Sequence, residues 1–292
     1  MQIEKRRTIR QTSIELRSDT LQRNVIIDLY LPPPATSPED FPQPTNDSAF
    51  TGPTPLPSGT SLLLINDGQD LPKMKLAEIL EDLYRQNILD RVVCAGIHAG
   101  PDRIREYGTA DTPDFQGRGD RAAAYTQFVL RQVLPAIQDL CKTPFNDISY
   151  LGWSLGALSA MDIVWHHPDI FTRAGLFSGS FWWRSRDKFD PLYDETTDRI
   201  MQHLVRQGAY HPGLQFFFEC GTEDETEDRN GNGIIDSIDD TRDLIAALVS
   251  KGYHPGKDIS YIEIPGGRHD VDTWAKVLPD FLLWMSNKKP RR

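Results

Sequence analysis

The chain has 292 residues, 39% of them hydrophobic, enough to bury a sizeable core in one large α/β domain or two small ones. Its 42 acidic residues outnumber 32 basic ones for a net charge of −10, and the basic runs sit only at the two ends, 5–7 and 288–292. The composition therefore excludes nucleic acid and anionic membrane as partners, and no run of residues is long and apolar enough to span a bilayer.

In chain order, 13–16 and 24–31 read as strands joined by a polar turn, the second placing Val25, Ile27 and Leu29 on one face. Residues 32–59 are rich in proline, serine and threonine and read as a Pro-rich surface insertion, not a domain. Strands at 61–65, 92–97, 148–151, 174–177, 214–220 and 259–264 then alternate with helices. The helices fall at 73–86, 120–140 (interrupted near Pro135), after residue 154, and at 196–207, 241–250 and 271–285. Two antiparallel starters followed by strand–helix alternation imply an α/β fold. It should be a mostly parallel, about eight-stranded sheet with helices on both faces, in α/β-hydrolase order, as a single domain over 1–292.

Cys94, Cys141 and Cys220 are an odd set without C-x-x-C spacing, which points away from a disulfide framework. The first seven residues lack the apolar segment and cleavage site of a signal peptide, so the expected location is the cytoplasm; a processed secreted chain would read the same. A homo-oligomer is compatible with all of this.

Gly152-Trp153-Ser154-Leu155-Gly156 stands between the 148–151 strand and a helical pattern of Leu158, Met161 and Val164 that ends at Pro168. G-x-S-x-G at such a junction is a nucleophile elbow: a sharp turn lifts the serine hydroxyl from the sheet, and the residues two before and two after it crowd each other. Gly152 and Gly156 remove the offending Cβ atoms. A serine nucleophile needs a base, and the base an orienting acid, in the order Ser, Asp or Glu, His on this fold. His269 lies in a glycine-containing loop straight after the last strand and is the expected base. His166 and His167 ride the elbow helix at exposed positions, whereas His98 ends the 92–97 strand and is expected at the pocket. The acid follows the 214–220 strand in Gly221-Thr222-Glu223-Asp224-Glu225; Asp224 fits the Gly-x-x-Asp turn, with Glu223 and Glu225 as alternatives. The oxyanion donors are expected at the Leu155 N–H and, in the loop Asn66-Asp67-Gly68-Gln69-Asp70, at the Gln69 N–H.

These residues resemble the esterase family of α/β-hydrolases, which includes S-formylglutathione hydrolases, feruloyl esterases, enterochelin esterases and mycolyltransferases. The likeness runs from about Asn24 onward through Asn66-Asp67-Gly68-Gln69, the Ser154 elbow, Leu176-Phe177-Ser178-Gly179-Ser180, Gly221-Thr222-Glu223-Asp224 and Gly266-Gly267-Arg268-His269 with Trp274. It implies a nucleophile at Ser154, an acid at Asp224 and a base at His269, and it places the 103–107 stretch, read first as an ion-pair loop, near the site entrance. Trp153 before the serine and Leu155-Gly156-Ala157 after it depart from the S-formylglutathione hydrolase pattern. Trp153, Trp182, Trp183 and Trp274 are expected as an aromatic pocket rim, suited to an acyl or aryl group or a sugar face, with core packing as the competing reading.

Residues 228–239 have the spacing of an EF-hand-type calcium loop, with Asp228, Asn230, Asn232, the Ile234 carbonyl, Asp236 and Asp239 as candidate ligands and Gly233 at the turn. The competing reading is an Asp/Asn/Gly-rich turn capping a helix. No cofactor is required for the chemistry, and any calcium would be structural. The leading expectation is a serine carboxylesterase acting on a small-molecule or carbohydrate-linked ester through an acyl-enzyme. Acyl transfer to an alcohol or sugar, or a catalytically silent calcium-dependent binding protein, are the alternatives.

Overall fold

Strand β1 (Arg10–Ser18) and β2 (Arg23–Leu31) form an antiparallel hairpin in which Val25, Ile27 and Leu29 are fully buried. The structure, a computed structural model, describes residues 9–33, 56–57 and 59–286. Most of the Pro-rich insertion at 32–59 and both basic ends lie outside these residues.

The chain then alternates. In order come β3 (Ser61–Asn66), a 3-10 turn (Gly68–Asp70), α1 (Leu76–Arg85), β4 (Val92–Ile97) and α2 (Arg103–Glu106). Next are α3 (Ala122–Phe128), α4 (Leu134–Cys141), β5 (Ile148–Trp153), α5 (Leu155–His166) and β6 (Arg173–Phe177). The chain closes with α6 (Ile200–Gln207), β7 (Gln215–Glu223), α7 (Asp236–Lys251), β8 (Ile259–Arg268) and α8 (Val271–Met285). The eight strands lie in the order β1-β2-β4-β3-β5-β6-β7-β8, with β2 antiparallel to β4 and every later pair parallel. This is the α/β-hydrolase architecture.

Every residue of β4 and β5 is buried, as parallel strands covered on both faces must be. One core packs α3 to α7 on the first face; the other packs α1 and α8 on the second. Helix α5 is buried along its whole length from Leu155 to Trp165, so its lack of a polar face is its position and not an anomaly.

Several boundaries differ from expectation, β1 being longer and α1 and α6 starting later than read, and three differences bear on the site or the packing. The 120–140 helix relaxes into a π turn at Val129–Val133 just ahead of Pro135, which has no N–H to donate and would crowd the carbonyl four residues back in a regular helix. Helix α7 begins five residues earlier than 241, and β8 runs on to Arg268, pairing Glu223 opposite Arg268 across an irregularity in register. Strands β3, β5, β7 and β8 therefore deliver their following loops to one sheet edge, where α/β folds place their sites.

Candidate active site

Ser154 sits between β5 and α5 with φ 56° and ψ −129°, a conformation that a side chain other than glycine's adopts only under constraint. Its N–H donates to the Phe177 carbonyl at 2.9 Å, and its own carbonyl accepts from Ser180 at 3.1 Å, so the turn is fastened to the end of β6. A Cβ on Gly152 would stand 2.2 Å from the Gly156 oxygen. One on Gly156 would stand 2.9 Å from an Asp67 carboxylate oxygen. Both glycines are thus required by close approach.

The loop after β3 is held from every side. Asn66, fully buried, donates its amide to the Gly156 carbonyl at 2.8 Å and accepts from the hydroxyls of Tyr125 at 2.6 Å and Tyr150 at 2.9 Å. Asp67 has φ 57° and receives the Arg103 guanidinium through two bonds of 2.7 Å, while its N–H donates to the Tyr107 hydroxyl at 3.2 Å. A Cβ on Gly68 would overlap the Gly96 backbone at 2.3 Å, which is why the loop can lie against β4. The 103–107 stretch is the ion-pair loop expected: Arg23 to Glu106 and Arg105 to Asp120 are its other pairs. Among the described residues neither the Leu155 N–H nor the Gln69 N–H has an acceptor. The Gln69 side-chain oxygen instead takes the Ala99 N–H at 3.0 Å.

His269 follows β8, and its Nδ1 lies 4.0 Å from an oxygen of Asp224, at the end of β7. Burial lowers the imidazole pKa below its ordinary value; Asp224 opposes this and the charge of Arg103 adds to it. The ring is therefore neutral at neutral pH. Burial raises the Asp224 carboxyl pKa, the Ser178 hydroxyl and His269 opposing the rise. The other two carboxylates of this turn face elsewhere. Glu223 pairs with Arg268 at 3.3 Å on the surface, and Glu225 accepts the Ser237 N–H at the start of α7.

Residues 54–285 match the sequence profile of the Esterase family, described as "Putative esterase". The chain belongs to this family, hydrolases acting on ester bonds. It is 23% identical to the uncharacterized protein YbbA of Bacillus subtilis (strain 168) over 237 residues, 79% of this chain and 87% of that one. Among solved structures it is similar to the enterobactin esterase FES of Shigella flexneri, with TM-score 0.66, 18% identity and 95% of this chain covered. This chain spans only 59% of that enzyme's length. A ferulic acid esterase matches with TM-score 0.62 and 15% identity over 96% of this chain and 98% of its own. The siderophore hydrolase EstB of Aspergillus nidulans gives 0.59 and 16% over 93% of each.

The tryptophans of this esterase do not form the rim expected of them. Trp153 and Trp274 stack at 5.7 Å and lie in the core beneath α8, because β5 turns Trp153 to that face; the His269 ring meets Trp274 edge-on at 5.3 Å. They form a floor under the histidine. Trp183 is buried against Gly108 and Gly119, and only Trp182 is half-exposed, with the Arg118 guanidinium 5.0 Å over its ring. His98 is likewise committed: its Nε2 lies 2.7 Å from Asp28 on β2, so its ring is a hydrogen-bond partner of the hairpin.

In the 228–239 loop, the side-chain oxygens of Asp228, Asn230 and Asn232 accept the N–H groups of residues 232, 233 and 234, and the turn passes Gly231 and Gly233 at positive φ. Both asparagine amides reach Asp239, at 2.9 and 2.8 Å. Asp236 instead takes the Arg229 N–H at 2.8 Å, and Ile234 donates its own N–H to Asn232. Among the described residues no group of three or more His, Cys, Asp or Glu side chains is placed to hold a metal. None of the described helices is long and apolar enough to cross a membrane, and all three cysteines are free and buried.

Two residues near Asp224 have no role assigned by the sequence: Ser178, which only carries part of the resemblance, and Glu219. The available signal was a carboxyl inside the apolar run Phe216-Phe217-Phe218-Glu219-Cys220.

Proposed function

We propose that this esterase cleaves its substrate through a covalent acyl-enzyme on Ser154. His269 takes the serine proton as Oγ bonds the ester carbonyl carbon, and returns it to the departing alcohol oxygen as the ester C–O bond breaks. Water then repeats the step in reverse roles, freeing the acid and the serine. Asp224 orients the imidazole and stabilises its charged form. The N–H groups of Leu155 and Gln69 receive the developing oxyanion. The observation that carries this reading is the strained Ser154 backbone at the strand–helix junction, in the fold whose last two strands, β7 and β8, bring Asp224 and His269 to within 4.0 Å of each other. The lowered pKa of the buried His269 supports it as well, since it favours the neutral ring that a proton acceptor must be.

For the substrate we propose a small-molecule ester with an aromatic acyl group. A ferulic acid esterase among the solved relatives carries a name of that chemistry, and the enterobactin esterase was solved with 2,3-dihydroxy-N-benzoyl-glycine, whose aromatic ring is amide-linked to the acid. On this chain Trp182, half-exposed beside Arg118, offers an aromatic face to it. Nothing in the reaction calls for a metal.

The test is fluorophosphonate labelling of wild type and Ser154→Ala, with p-nitrophenyl and aryl esters assayed in parallel and folding followed by circular dichroism. Labelling of wild type alone, with turnover lost by roughly 10³-fold or more in the variant, is the expected result. A folded wild type that neither labels nor turns over would overturn the reading.

A further inference from the structure

Glu219 is a carboxyl with no exposed surface, in the middle of β7, and the mechanism above does not use it. It points to the α8 side, since its neighbour Cys220 is turned to the opposite face and bonds Thr241 at 3.2 Å. The groups that face Glu219 are Ser178 from the end of β6, Asp224 from the turn after β7, and Trp274 from α8, with His269 beyond Asp224. No cation is among its partners in the described residues. Burial, and after it the negative Asp224, push its pKa up to about 8.

The hydrogen bonds of Ser178 decide what such a group does. Its hydroxyl has one proton and two lone pairs. Trp274 Nε1 donates into one lone pair at 2.9 Å. Glu219 Oε2 lies 3.5 Å away, while the Asp224 carboxylate feels the hydroxyl's stabilising influence but has neither oxygen hydrogen-bonded among the described residues. One proton cannot serve two carboxylates. Were Glu219 ionised, two buried negative groups would compete for it and one would stay bare, a costly arrangement. With Glu219 protonated the competition ends: its O–H can fill the second lone pair of Ser178, and the Ser178 proton is free to turn to Asp224, whose oxygens otherwise have no hydrogen-bond partner among the described residues. The Ser178 backbone is fixed for this task, with φ 45° and its N–H on the Glu219 carbonyl at 2.7 Å.

We propose that Glu219 is a positioning residue of this esterase, a neutral acid that donates to Ser178 so that Ser178 in turn holds Asp224 in place for His269. The inference rests on the Ser154–His269–Asp224 reading. When Glu219 ionises, Ser178 loses its donor, Asp224 loses its anchor, and kcat falls. The pH profile then has an alkaline limb that none of the three triad residues supplies.

The experiment compares wild type, Glu219→Gln and Glu219→Ala, measuring kcat and KM from about pH 6 to pH 10, the melting temperature over the same range, and fluorophosphonate labelling. Glutamine keeps a neutral donor that cannot ionise. Glu219→Gln is expected to hold kcat at pH 7 within about threefold and to lose the alkaline limb near pH 8. Glu219→Ala should lose kcat by about 10- to 100-fold with little change in KM. Melting reads the proton without catalysis. A folded state that keeps a proton the unfolded chain sheds near its ordinary pKa loses stability as pH rises through that window, so wild type should weaken relative to Glu219→Gln between about pH 5 and pH 8. An alkaline limb that survives in Glu219→Gln, or matching melting curves for the two, would overturn the proposal. If Glu219→Ala fails to fold, the glutamine comparison decides. Absence of labelling in folded wild type would mark failure of the serine reading instead, with the melting comparison still deciding the state of Glu219.

Discussion

Asn66 donates its side-chain amide to the Gly156 carbonyl across 2.8 Å, joining the loop after β3 to the first turn of α5. The two proposed oxyanion donors, Gln69 and Leu155, belong to these two segments, so this amide ties one donor segment directly to the other. Replacing Asn66 with alanine removes that bond and the shared acceptor of the buried Tyr125 and Tyr150 hydroxyls. A buried group left without its partner costs about 1–3 kcal/mol. We expect Asn66→Ala to lose stability on that scale by urea titration and to lower kcat by about 10²-fold, with fluorophosphonate labelling slowed in step.

Arg103 is bonded to Asp67 and disfavours the charged form of His269. Removing its charge should raise the histidine pKa and move the acid limb of kcat/KM to higher pH. In Arg103→Lys the charge stays while the two-pronged geometry goes, so the limb should hold its place and kcat should fall. Arg103→Gln should shift the limb but also leave the buried Asp67 unpaired, at a cost of about 3–5 kcal/mol. A pH–rate series on both variants separates the two effects.

His166 on α5 gives a pH signature in stability alone. Its Nδ1 lies 3.3 Å from an Asp162 oxygen and its Nε2 3.7 Å from Asp111, and the bond to Asp162 raises its pKa to about 9. A raised histidine pKa contributes stability that is full below its ordinary value of about 6.5 and is lost as pH climbs through the folded value. The ring is partly solvated, so the effect should be about 1 kcal/mol at most. Urea titrations should show His166→Gln less stable than wild type at about pH 6 and equal to it at about pH 10.

The 228–239 loop tests the calcium expectation. Its side-chain oxygens already hold the backbone in a turn, and Asn230, Asn232 and Asp239 converge. Calcium would take Asp236 from Arg229 as a further ligand. If the loop takes calcium, millimolar calcium should raise the wild-type melting temperature and chelator reverse it, with Asp228→Ala indifferent to both. A wild-type melting temperature unmoved at about 10 mM calcium would leave a hydrogen-bonded helix-capping turn.

Local patterns were enough for the parts of this protein that local physics governs. Strand β4 and helix α8 have the bounds read from their apolar runs, and the elbow was legible from its strand–helix setting, where Gly152 is crowded by the backbone four residues on; the need for Gly156 comes instead from the distant Asp67. The strand–helix alternation likewise implied the parallel sheet. What the sequence left open depends on contacts between distant residues. Three adjacent carboxylates follow β7, and only folding turns Asp224 to His269, Glu223 to Arg268 and Glu225 to the start of α7. The same holds for Trp274, an expected rim residue that becomes floor by reaching Ser178, 96 residues away. It holds again for Glu219 beside Ser178, 41 residues apart. Periodicity and spacing report on neighbours along the chain; which face of a crowded sheet edge a side chain ends on is set by whichever distant partner fills the space there.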